Sequence, residues 1–78
     1  MPRDFCSHVL NAVIGKYVFV RLKDHRTLRG KLIGFDEHLN LVLEEAHFIE
    51  ETRDLSSIIL RGDNIVYIIL PTEKKLYN

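Results

Sequence analysis

The sequence predicts a mainly-β domain, in which one short N-terminal helix is followed by five closely spaced antiparallel strands forming a small barrel or bent sheet. Three observations predict it. From Tyr17 onward apolar residues alternate with others at the period of a strand. Gly30 and Gly34 fall in one phase of the second such run, and glycine inside a strand weakens it unless the strand bends sharply or meets another backbone closely. Helical spacing is confined to the segment ahead of Gly15.

The elements follow in order. In "DFCSHVLNAVIG" Asp4 is the expected N-cap, Phe5, Val9 and Val13 recur four apart on one face, and Gly15 is the expected stop, giving a helix over about 4–14. Cys6, Leu10 and Ile14 widen the apolar face, and so short a helix depends on packing rather than propensity. "KYVFVRLK" gives a first strand over about 17–23, with Val18, Val20 and Leu22 inward. After a break at Asp24-His25, "RTLRGKLIGF" gives a second over about 26–35. The third is expected over about 39–46 and the fourth over about 52–61. "NIVYIIL" supplies a fifth over about 64–70, entered through the turn residues Gly62, Asp63 and Asn64. This last strand is apolar in both phases, so one face or its edge needs a cover, and pairing with another subunit would supply one.

At 78 residues the chain is expected to be a single domain over 1–78, of a size that often gains stability by association. Cys6 is the sole cysteine, which excludes an intrachain disulfide and suits a reducing compartment. No signal peptide or long apolar run is visible, so the expectation is a soluble cytoplasmic protein with no membrane association. Acidic and basic residues balance at 11 each, yet they are unevenly placed. Residues 16–31 carry Lys16, Arg21, Lys23, Arg26, Arg29 and Lys31 against Asp24 alone. Residues 44–54 are acidic, and read as a solvated face.

The polar candidates sit in two turns. Asp36, His38 and Asn40 precede the leucines of the third strand; they either shape a turn or present an imidazole and an amide to the bases of single-stranded nucleic acid. Arg61, Gly62 and Asp63 are either a hairpin turn or a planar cation beside a residue that lets a backbone come close. If the turns met, His38 and Arg61 could clamp a base, but spacing alone does not bring them together. Cys6 and His8 have a metal-like spacing, but a zinc site needs about four converging ligands, so neither metal nor cofactor is expected. No nucleophile stands beside a base in recognisable context, so no enzyme activity is expected.

The two turns, in this order and separation, resemble the bipartite signature of the Sm and Sm-like family. "VFVRLKDHRTLRGKLIGFDEHLNLVL" is similar to its first motif, with Val20, Leu22, Gly30, Leu32, Asp36 and Asn40 in place, and "IILRGDNIVYI" to its second, with Arg61, Gly62 and Ile65. The resemblance covers essentially the whole chain and implies the Sm fold, with a strongly bent five-stranded antiparallel sheet. It implies a uridine pocket in which His38 stacks on the base, Asn40 reads its edge, Asp36 holds Asn40, and Arg61, with Gly62 and Asp63, closes the stack. It also implies a ring in which the fourth strand pairs with a neighbour's fifth. His38 together with "RGDN" looks most like archaeal members, which form homo-oligomeric rings, so seven copies are expected ahead of six. The function implied is binding of U-rich single-stranded RNA at the pore, in RNA processing or chaperoning; the alternative is a ring-shaped scaffold for proteins with little RNA binding. One departure is the Asp24-His25 turn, where the family often has glycine or asparagine.

Overall fold

The computed structural model describes residues 5–71. Helix α1 (Phe5–Ala12) leads into five strands: β1 (Tyr17–Leu22), β2 (Thr27–Phe35), β3 (Leu41–Phe48), β4 (Asp54–Leu60) and β5 (Ile65–Ile69). They form one antiparallel sheet in the order β4-β3-β2-β1-β5, so β4 and β5 are its edges. The expected helix cap Asp4 lies outside the described residues.

The helix ends at Ala12 rather than Ile14, because the next turn tightens: Val13 and Ile14 N–H donate three residues back, to Leu10 and Asn11. Gly15 then takes φ +86, a left-handed conformation suited to glycine, and its N–H donates to the Leu32 carbonyl at 2.7 Å. The inward face of the segment is Leu10 and Val13; Phe5 and Cys6 stay exposed instead of joining the core. At the β1–β2 turn His25 itself adopts φ 72, and the Asp24 carboxylate accepts the Arg26 backbone N–H at 3.1 Å and its Nε at 2.8 Å. An Asp–His pair therefore makes a turn that glycine or asparagine would make more cheaply.

Alternation organises the core. Val18, Val20, Leu28, Leu32, Leu41 and Leu43 are wholly buried, and no polar side chain is buried with them among the described residues. β3 begins at Leu41 instead of residue 39, because Leu39 has φ 61 and belongs to the turn. It continues to Phe48 instead of ending near 46, because a bulge at Glu44-Glu45 resets the alternation and returns Ala46 and Phe48 inward. Glu45 carries the positive φ of that bulge, and Ser56 does the same on β4.

Gly30 faces the irregular stretch of β3. A Cβ there would lie 3.1 Å from the Leu43 Cβ and 3.4 Å from the Ala46 Cβ, so glycine lets β3 press against β2 where the sheet bends. Gly34 differs: a Cβ would meet nothing within 4 Å. On β5 Ile65 and Ile68 pack against the core while Val66, Tyr67 and Ile69 remain exposed, which explains a strand apolar in both phases. At the opposite edge Ile59 of β4 is 74% exposed.

Gly30→Val is expected to cost about 1–3 kcal/mol by overpacking, and Gly34→Ala to be tolerated. Urea unfolding at one fixed protein concentration checks both; equal losses in the two variants would contradict this account of the bend.

Candidate nucleic-acid interface

The turn between β2 and β3 is built around one carboxylate. Asp36 Oδ1 accepts the backbone N–H groups of His38 at 2.9 Å and Asn40 at 3.0 Å, while Oδ2 accepts Asn40 Nδ2 at 2.9 Å. Backbone bonds close the same turn, from Leu39 N–H to the Asp36 carbonyl at 3.0 Å and from Asp36 N–H to the Asn40 carbonyl at 3.1 Å. These bonds hold Leu39 in a left-handed conformation that ordinarily costs about 1–3 kcal/mol, and its side chain packs against the core. Donation by the Asn40 side-chain amide, then by its backbone N–H, pulls the Asp36 pKa below its usual 3.8. At neutral pH the carboxylate is therefore an acceptor only.

The second turn meets the first at Gly62. Its N–H donates to Asn40 Oδ1 at 2.7 Å, joining residues 22 apart in sequence. A Cβ on Gly62 would lie 2.4 Å from the His38 carbonyl oxygen and 2.9 Å from that of Leu39. Only glycine permits this approach. Gly62–Asn64 forms a single 3-10 turn, closed by Asn64 N–H to the Arg61 carbonyl at 3.1 Å. Arg61 lies at its entrance with its side chain 74% exposed, paired to Asp63 at 3.3 Å. Asp63 thus contacts Arg61, not the Asn40 amide.

An asparagine side chain has two N–H donors and two acceptor lone pairs. Here one lone pair is taken by Gly62 and one donor by Asp36. The amide cannot be turned over, since that would set N–H against N–H at Gly62 and oxygen against carboxylate at Asp36. One N–H and one lone pair remain, in a known order. Around this fixed amide stand the exposed His38 and Arg61, each a flat group able to stack on a ring. The turns flagged from sequence do come together, and the spacing gave no sign of the Gly62–Asn40 bond that joins them. Among the described residues no group of three or more His, Cys, Asp or Glu is placed to hold a metal ion.

Gly62→Ala is expected to separate the turns and to lower stability by about 1–3 kcal/mol, read as a lower urea midpoint with a shifted Asn40 side-chain amide resonance. The bonds to Asp36 predict a definite acid response. Because its folded pKa is lowered, the stabilisation is complete above 3.8 and is lost as pH falls through the lower folded value. The Asn40 amide resonance should therefore titrate with a midpoint below 3.8; a midpoint above it would contradict the assignment.

Comparison with known proteins places the fold in a family. The model of the LSM domain matches residues 8–70. An Sm-like protein of Methanosarcina acetivorans is 47% identical over 66 residues, covering 77% of this chain and 88% of that protein. Among solved structures, the Sm protein of Pyrococcus abyssii in complex with a uridine heptamer superposes with a TM-score of 0.77 at 37% identity, covering 83% of this chain and 96% of that one. The SmAP1 heptamer of P. aerophilum superposes with a TM-score of 0.78 at 32% identity, covering 91% and 97%. No helix among the described residues is long and apolar enough to cross a membrane. With the family's model matching residues 8–70 and a solved Sm structure superposing over most of its length, the chain belongs to the Sm-like (LSM) family, archaeal in type.

Proposed function

We propose that this protein forms a closed ring of seven identical subunits that binds U-rich single-stranded RNA at its pore, in the cytoplasm, for RNA processing or chaperoning. The observation that carries the reading is the fixed orientation of the Asn40 amide between Asp36 and Gly62. Its free N–H and lone pair fit adjacent acceptor and donor groups on a base edge, as uracil presents at O4 and N3–H. Cytosine presents the reverse order at those positions. An amide that cannot flip discriminates between them in a given stacked pose. His38 and Arg61 supply the stacking faces, and Arg61 adds a charge for phosphate. The contacts of Asp36 and Gly62 hold the amide in place, and the reading is binding without catalysis and without a cofactor.

The ring is supported by the two edges of the sheet. β4 and β5 each have one unpaired side, and each exposes apolar residues there: Ile59 on β4, Val66 and Ile69 on β5. Different surfaces that pair head to tail close into a ring when the rotation permits, leaving no free edge. The Sm proteins of known structure to which the chain is similar include a heptamer and one solved with a uridine heptamer. Repetition of one small pocket around a ring raises avidity despite a formal net charge of zero.

Native mass spectrometry should give the mass of seven chains, and Ile59→Asp should dissociate the assembly; a folded monomer at micromolar concentration would contradict the ring. Fluorescence anisotropy with short labelled oligouridine, oligocytidine and oligoadenine tests the pocket. Arg61→Ala should weaken oligouridine binding by at least about tenfold, given stacking worth about 1–3 kcal/mol per base, and reduce its salt dependence. Asn40→Ala should erode the preference for uridine. Intact rings that bind none of the three would instead favour a protein scaffold.

A further inference from the structure

The two pore turns carry the carboxylates of Asp36, Glu37 and Asp63, and that of Glu37 alone holds nothing among the described residues. Asp36 accepts from three donors, the N–H groups of His38 and Asn40 and the Asn40 side chain. Asp63 is paired with Arg61 at 3.3 Å. Leu39 N–H donates to the Asp36 carbonyl at 3.0 Å, which makes Glu37 and His38 the central residues of that turn. Both are exposed. Gly62 abuts the carbonyl oxygens of His38 and Leu39, so the second turn covers the chain after His38 and leaves Glu37, before it, open.

A bare carboxylate at a site for an anionic strand weakens binding by repulsion, unless it accepts a hydrogen bond from that strand. An ionised carboxylate accepts and does not donate. Along an oligouridine the donors are the uracil N3–H and the ribose 2′-OH. At the proposed pore site N3–H belongs to the Asn40 amide, whose place is fixed by Asp36 and Gly62. The 2′-OH is left. Consecutive Cα atoms are about 3.8 Å apart, so a flexible Glu37 side chain beside His38 can reach the sugar of the base stacked there. A divalent cation would need several oxygen ligands, and no group of three or more His, Cys, Asp or Glu gathers to hold one among the described residues.

We propose that Glu37 is a specificity-determining residue of the pore site: its carboxylate accepts a hydrogen bond from the ribose 2′-OH of the nucleotide stacked on His38, and so selects RNA over DNA. The inference rests on the pore reading and adds a sugar contact to a site that otherwise reads the base. Asn40 separates uracil from other bases but not uridine from deoxyuridine, because the sugar does not alter the base edge. Glu37 supplies that second discrimination, once for each engaged subunit of a ring.

The test is fluorescence anisotropy on assembled rings with three labelled strands of equal length: oligouridine, oligodeoxyuridine and 2′-O-methyl oligouridine. All share one base; the second lacks the hydroxyl, and the third keeps the oxygen but cannot donate. Potassium buffer with a chelator prevents a divalent cation from bridging carboxylate and phosphate. Wild type, Glu37→Ala, Glu37→Gln and Asn40→Ala are compared, with native mass and urea midpoint checked for each. Wild type should bind oligouridine at least about fivefold more tightly than either other strand, as one hydrogen bond to a charged group allows. Glu37→Ala should lower both ratios at least about threefold. Glu37→Gln loses the charge but keeps an acceptor oxygen, so it should retain most of the preference while steepening the salt dependence as Glu37→Ala does. Asn40→Ala should weaken oligouridine and leave the sugar preference in place. Ratios unchanged by Glu37→Ala, in rings whose oligouridine binding still depends on Asn40, would overturn this proposal and leave the pore reading standing. So would 2′-O-methyl oligouridine bound by wild type as tightly as oligouridine. Rings that bind no oligouridine would overturn both.

Discussion

The hydrogen bond from the Gly62 N–H to the Asn40 side chain is the interaction on which the candidate site depends. It joins two turns that the chain supplies far apart, and it requires two residue types at once. The acceptor must be an amide, because a carboxylate at position 40 would face Asp36 with like charge. The donor must be on glycine, because any Cβ would run into the His38 carbonyl. The bond has a second consequence for chemistry. By occupying one side of the amide while Asp36 occupies another, it leaves a donor and an acceptor in fixed order, which is what distinguishes one base edge from another.

The sheet brings these turns together through the register of its strands. β2 and β3 end at the Asp36–Asn40 turn, and Leu41 pairs with Leu60 of β4, one residue ahead of Arg61. The second turn is thereby delivered to the first by strand register. Elsewhere in the sheet Gly30 meets the irregular stretch of β3, with Leu43 and Ala46 close against it. A small chain cannot cover both edges of such a sheet, and the exposed isoleucines and valine of β4 and β5 are the remainder. The edges that weaken the lone subunit are the surfaces by which copies can join.

Much of the fold was legible because the β period is rigid. Val18, Val20 and Leu22 point inward as their alternation requires, and the antiparallel order follows from short connections. The third strand was misplaced at both ends for local reasons. Leu39 looks like the first inward leucine, but the bonds to Asp36 turn it left-handed. Glu44-Glu45 looks like the end of a strand, but the bulge absorbs the extra residue. The helix came out shorter because Val13 is buried by the turn after it and not by helical continuation. The residues of the candidate site were visible as polar interruptions, whereas the Asn40–Gly62 contact is a product of tertiary register and leaves no trace in spacing. The cations of residues 16–31 were legible as a run, whereas the stacking of Arg29 on Tyr17 depends on the pairing of β1 with β2.

The most direct measurement of the central claim is a crystal structure of the assembled protein with short oligouridine bound. The account predicts a base between His38 and Arg61 in each occupied subunit, its N3–H and O4 on Asn40, with the bonds from Asn40 to Asp36 and Gly62 unchanged. A base bound elsewhere, or an Asn40 amide released from Gly62 to reach it, would contradict the claim.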